Sequence, residues 1–235
     1  TIIMKSFLKT NPMNTRYGKN EPFKVIGYKS LYWIRYETEL RENLPENLTI
    51  LHAHTKTYGR LYSIVEKDKI VDLIKTKKNM NIYEHINPNR KFKIYFDFDL
   101  EMNQKEKPTE EQEKERVDIV LNKIKEALKT DNLAIDRTEP RKKNQNSWKL
   151  SYHIIVKDLY FNNMEELKNC GFKEWITEYM SDYGIDNIYT NYRWLKYSYQ
   201  SKPNQPKQLP IQVSSDIRHH TATHFTGNER HIDLD

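Results

Sequence analysis

The chain has 235 residues, with 39 lysines and arginines against 33 acids and a net charge of +6. A length like this serves one large domain or two small modules, and buries roughly 70–75% of the unfolded surface without covalent staples. The single cysteine, Cys170, excludes an internal disulfide framework and a cysteine-rich zinc site. No apolar run approaches the length of a membrane span, and the opening TIIMKSFLKT is too short and too polar for a secretory signal.

In chain order, residues 1–22 are polar and read as an arm or edge segment. From Phe23 to about Asn89 short apolar stretches alternate with charged ones, as expected of a mixed α/β module. KFKIYFDFDL then alternates strictly. Phe92, Ile94, Phe96 and Phe98 take one side of a strand, and Lys93, Tyr95, Asp97 and Asp99 the other. Pro108 opens a helix over 109–129, with Val117, Leu121, Ile124 and Leu128 at helical spacing and glutamates in the first turn. NLAID reads as a short strand, RKKNQNS as a basic turn, and WKLSYHIIV as a strand with Lys149, Ser151 and His153 on its polar face.

Asn163 and Glu166 read as a capping box for a helix carrying Met164, Leu167, Trp175, Ile176 and Tyr179, which Gly184 stops. IDNIYTNYRWLKYSYQSK resumes strand-like chemistry. The order of elements predicts an α+β sheet with helices on one face. Three segments follow: an N-terminal α/β module over 1–90, the α+β sheet unit over 91–205 and a C-terminal segment over 206–235. The tail holds His219, His220, His224 and His231, read as a solvated tail or surface patch rather than a metal site.

Asp97 and Asp99 lie one pleat apart and can share a hard divalent cation, although a lone Asp-x-Asp is equally a pair of solvent-facing carboxylates. Lys149, Ser151 and His153 offer a cation, a hydroxyl and an imidazole that suit a triphosphate; alone, they are more simply the outer face of an amphipathic strand. Asp186 adds a third acid, trailed by Arg193, Lys196 and Lys202. The combination is the inventory of two-metal phosphoryl transfer.

KIYFDFDLE, KLSYHIIV and GIDNIYTNYRWLKYSYQSK, with the run-in IYEHINP, resemble the three motifs of the archaeo-eukaryotic primase superfamily. They are most similar to its primase-polymerase branch and to relatives in large DNA viruses, over about residues 82–202. The resemblance implies an RRM-like palm sheet. It implies that Asp97, Asp99 and Asp186 bind two Mg²⁺ or Mn²⁺ ions, and that Lys149, Ser151 and His153 contact the incoming nucleotide's phosphates. Arg193, Lys196 and Lys202 match basic residues near the triphosphate and primer–template; Lys196 stands where the branch has arginine. Arg60, in HTKTYGRLY, matches a family arginine near the nucleotide, and Tyr83 is a candidate to lie near the ribose.

The implied function is a DNA-dependent primase or polymerase core acting on single-stranded DNA with NTPs or dNTPs. A replicative helicase or helicase domain is the implied partner, no membrane is involved, and the setting is intracellular. The Lys-, Asn-, Ile- and Tyr-rich usage suits an AT-rich viral genome, hence a viral replication site or host cytoplasm or nucleus. Tyr152, Tyr189, Tyr192 and Trp194 are candidates to stack on bases, with ordinary strand packing the simpler reading. Two alternatives stand beside this: a catalytically silent RRM-like domain that binds single strands, and a glycosyltransferase using Asp-x-Asp for a nucleotide-sugar.

Overall fold

The computed structural model describes residues 14–15, 18–19, 23–24, 31–34, 40, 44–76, 81–189, 192–211 and 216–232. The fold is α+β, with two main sheets and few helices. It forms two compact units, residues 1–87 with 194–207 and residues 88–193 with 208–235. Residues 194–205, read from sequence with the palm, thus cluster with the first unit, and the last segment from Gln208 onward belongs to the second.

In the first unit, β1 (Asn14–Thr15) pairs with β2 (Gly18–Lys19), and β3 (Phe23–Lys24) with β4 (Tyr32–Trp33). β5 (Leu48–Thr55) and β6 (Gly59–Glu66) form a hairpin, joined by β7 (Ile82–Ile86) and then β11 (Arg193–Lys196), in the order β11-β7-β5-β6. Ile34, Leu40, Leu44, Leu48, Ile50, Tyr62 and Ile64 make its core, with Trp194 packed against them. The rest of residues 1–22 and most of the FKVIGY and SLYWIRYETEL stretches lie outside the described residues.

Cross-strand register sets Tyr62, His52 and Tyr83 in one row. The buried His52 ring is stacked between the two tyrosines at 5.1 and 5.0 Å, with the Trp194 edge at 4.8 Å. Burial first, and the Arg60 charge second, push its pKa down to about 3. Unfolding exposes an imidazole that protonates near 6.5, so between these values the unfolded state binds the extra proton. Stability is therefore expected to fall by about 1.4 kcal/mol for each pH unit below the unfolded value. Urea denaturation of the wild type and of His52→Leu between pH 7 and 5 checks this; parallel slopes would exclude His52 as the cause.

The second unit is built on β8 (Phe92–Met102), β9 (Leu133–Asn144) and β10 (Ser147–Phe161). β10 is central, antiparallel to both neighbours; β12 (Gln208–Pro210) pairs with β9, and the short β13 (Arg230–His231) runs parallel to the far end of β10. NLAID is thus the start of a 12-residue strand that runs through most of the expected basic turn. Thr109 caps the Glu110–Leu128 helix through a reciprocal capping box with Gln112. Its buried side chains are Glu113, Val117, Val120 and Ile124, while Leu121 and Leu128 are only partly covered. Glu113 meets Tyr152 and Arg137, and Phe172 and Trp175 pack on Phe96, so both helical segments cover the apolar face of the sheet.

Three features depart from or add to the sequence reading. The helix after Asn163 is not continuous. Asn163 does cap Met164–Asn169 by accepting from the Glu166 amide, but Glu166 reaches back to the Asn162 amide. Gly171, at φ +80°, then breaks the chain into Phe172–Trp175, a π turn and a 3₁₀ turn, leaving Tyr179 62% exposed. Second, Lys93 and Tyr95 are fully buried, Lys93 under residues 218–225 and Tyr95 against the Tyr189 ring. Lys93 accordingly donates through Nζ to the Arg218 carbonyl at 2.6 Å, and its amide to the Ala222 carbonyl. Third, residues 217–224 of the tail are not a solvated segment. His220 and His224 are buried, and His220 Nδ1 lies 2.8 Å from Asp136 Oδ1. No helix among the described residues is long and apolar enough to cross a membrane.

Candidate metal centre and phosphate-facing residues

The face of the second sheet opposite its helices becomes accessible at Asp97. Pairing of β8 with β10 places His153 opposite Asp97, Ser151 opposite Asp99 and Lys149 opposite Glu101. Directly opposed residues on an antiparallel pair share a face, with Cβ atoms about 4.5–5.5 Å apart. Two motifs some fifty residues apart in sequence therefore interlock as one polar surface.

The third acid arrives by a backbone device. Ile185 bridges to Phe98; the Asp99 amide donates to the Gly184 carbonyl at 2.8 Å and the Asp186 amide to the Asp97 carbonyl at 3.0 Å. Residues 184–186 thus run as a short antiparallel tab along β8. Gly184 sits at φ +92°, and a Cβ there would lie 2.9 Å from the Asp99 carbonyl oxygen. Gly184→Ala is expected to cost about 1–3 kcal/mol, combining left-handed strain with the collision, and to shift Asp186 off Asp99. Gly171 is the comparator: at φ +80° its Cβ would meet nothing within 4 Å. Thermal unfolding with and without Mn²⁺ should show a diminished metal-induced shift in Gly184→Ala alone.

Asp97, Asp99 and Asp186 each bring a carboxylate oxygen within 4.8 Å of the others. Burial first, and then repulsion from Asp97 and Asp99, raise the Asp186 pKa. The donor set fits a hard divalent cation, which prefers carboxylate oxygens. A cation already stands at one of them, since Lys149 Nζ lies 2.6 Å from Asp99 Oδ2. Ser151 donates to the other Asp99 oxygen. His153 Nε2 is 3.5 Å from Asp97 Oδ1, and Arg193 reaches Asp97 Oδ2 at 3.9 Å. The Arg193 Nε is buried with no hydrogen-bond partner, and an anion at this face would supply the acceptor it lacks.

Seven of the residues singled out from sequence thus belong to the second unit: Asp97, Asp99, Asp186, Lys149, Ser151, His153 and Arg193. Arg60, Lys196 and Lys202 belong to the first. Tyr83, also of the first unit, is buried in the aromatic row, which pushes its pKa up to about 12. Among the stacking candidates, Tyr152 is buried with its hydroxyl donating to Glu113, and Tyr189 is fully buried with its hydroxyl on the Tyr95 carbonyl. Neither presents a ring to a base.

Sequence reasoning missed two neighbours of the site. Arg141 lies directly opposite Lys149, and Asp136, held by His220 and Gln208, directly opposite His153. The signal was the length of β9, hidden because the basic stretch reads as a turn. Comparison with protein-family models returned no match, and comparison with curated proteins returned none either. The fold and this surface define an α+β protein with a three-carboxylate cluster facing a Lys-x-Ser-x-His strand.

Proposed function

We propose that this chain is the catalytic core of an archaeo-eukaryotic-type primase, a DNA-dependent nucleotidyltransferase that makes or extends a primer on single-stranded DNA. The observation that carries the reading is the convergence of Asp97, Asp99 and Asp186 beside Lys149, Ser151 and His153, in register on the adjacent strand. Asp97, Asp99 and Asp186 are the residues to hold Mg²⁺ or Mn²⁺. Two such ions supply activation of the primer 3′-hydroxyl and stabilisation of the leaving pyrophosphate.

The remaining residues orient the substrate. His153 and Arg193, beside Asp97, offer donors to the phosphate oxygens of an incoming NTP or dNTP, and Ser151 and Lys149 offer a hydroxyl and an ammonium. Arg60, Lys196 and Lys202 are assigned phosphate or primer–template contacts by the motif resemblance. The burial of Tyr152 and Tyr189 weighs against a pure stacking platform, and carboxylates on a binding face repel phosphate.

The test is primer synthesis on single-stranded M13 DNA with labelled NTPs or dNTPs and Mg²⁺ or Mn²⁺. Metal-dependent products support the reading, and the nucleotide used identifies the product sugar. Absence of product under every condition, with salt-sensitive single-strand binding intact, would replace it with the binding-domain alternative.

A further inference from the structure

Lys149 and Ser151 are matched to phosphate contacts, yet both are engaged with Asp99. The Lys149 ammonium lies on Oδ2 at 2.6 Å and the Ser151 hydroxyl on Oδ1, so each oxygen of one carboxylate is taken by a neighbouring strand residue. The contact is not imposed by register. Lys149 stands opposite Glu101, which is instead paired with Lys143, and reaches diagonally to Asp99. Asp97, by contrast, is approached less closely, by His153 and Arg193 at 3.5 and 3.9 Å.

The Lys149 and Asp99 side chains are 29% and 23% exposed, so the pair is partly withdrawn from water and screening. A cation entering at Asp99 competes with this ammonium. Lys149 then requires another anion, because a half-buried ammonium left beside a newly placed divalent ion is repelled by it. A nucleotide triphosphate is such an anion. Lysine suits the exchange, being a compact charge on a flexible four-carbon stem rather than a fork fixed in one plane.

We infer that Lys149 is a built-in placeholder cation, which holds Asp99 until a divalent ion binds and then transfers to the triphosphate, so that divalent metal and nucleotide bind cooperatively. The inference rests on the metal and nucleotide reading above. It has a reciprocal consequence: nucleotide raises metal affinity by the same factor that metal raises nucleotide affinity. Either ligand alone is bound weakly, which keeps Asp99 neutralised by Lys149 until metal and nucleotide are both present.

The experiment is Mn²⁺ binding to the intact chain, followed through the electron paramagnetic resonance signal of free Mn²⁺ in the absence of nucleotide. Lys149→Gln is expected to bind Mn²⁺ about tenfold more tightly than the wild type, within the usual range of coupling between sites. Lys142→Gln removes the same charge from the neighbouring strand at a side chain that lies over the Trp148 ring, and is expected to change affinity less than about twofold, separating direct competition from a general change in field. An α,β-methylene triphosphate, corrected for its own Mn²⁺ binding, should then raise wild-type affinity more than that of Lys149→Gln. Equal or weaker binding by Lys149→Gln overturns the placeholder role while leaving the metal centre standing. No Mn²⁺ binding by any of the three proteins overturns the metal centre itself. Circular dichroism of each variant confirms that folded protein is being compared.

Discussion

Asp97→Ala is expected to reduce nucleotidyl transfer at least about a thousandfold without unfolding the protein. The rate effect follows from removing one of three carboxylates that converge within 4.8 Å, since Lewis-acid stabilisation of phosphoryl transfer is worth several kcal/mol. Retention of the fold follows from how the site is built. The Asp186 tab is hung on the Asp97 carbonyl and the Asp99 amide, which the substitution keeps. Electrostatics run the same way. A carboxyl whose folded pKa is raised, as at Asp186, costs stability at pH above its unfolded value, and Asp97 is one of the charges raising it. The metal-free variant should therefore melt no lower than the wild type at neutral pH, while losing the stabilisation that Mn²⁺ confers. Primer synthesis and thermal unfolding with and without Mn²⁺, on one preparation, check both halves. Synthesis within tenfold of wild type would remove Asp97 from the mechanism.

Glu113→Ala is expected to destabilise the second unit by roughly 2–4 kcal/mol. Glu113 is the buried acid on the inner face of the Glu110–Leu128 helix; it pairs with Arg137 through Nε at 2.5 Å and a second nitrogen at 2.9 Å, and accepts from the Tyr152 hydroxyl. Truncation strands a guanidinium and a phenol in a space closed by the sheet, so the cost is mainly that of polar groups left without partners. The Arg137 side chain is 30% exposed and also pairs with Glu139, which keeps the loss below that of a wholly buried pair. Urea denaturation measures the effect, and Glu113→Leu/Arg137→Met should recover much of it, because removing both charges leaves only the Tyr152 hydroxyl to be satisfied. A double variant as unstable as Glu113→Ala would show that volume, rather than polarity, dominates there.

Much of the site was legible in sequence where the information is local. Asp97 and Asp99 share a face because strand side chains alternate, and Lys149, Ser151 and His153 share one for the same reason. Gly184 was recognisable as a stop, and its positive φ bears that out. Alternation also misled. Lys93 and Tyr95 have the phase of the two aspartates, but Lys93 is covered by residues 218–225, whose Thr- and His-rich composition reads as surface, and Tyr95 by the Tyr189 ring. Tyr152 has the phase of Leu150 and Ile154, and whether its ring faces solvent or a helix depends on Glu113 lying over it.

By itself, then, the sequence determined the α+β class, the strand character of the two motif segments, the capped helix between them and the residue types able to hold a metal and a triphosphate. Period and capping are set by bonds between near neighbours, and these persist whatever the rest of the chain does. The tertiary structure decided which of those residues meet. The β8–β10 register brought Lys149 to Asp99, and the Gly184–Asp186 tab brought the third carboxylate to the first two. Each is a pairing across long loops, selected by the burial of whole faces. A shift of one residue would reverse every side chain in the strand, and no local pattern excludes it.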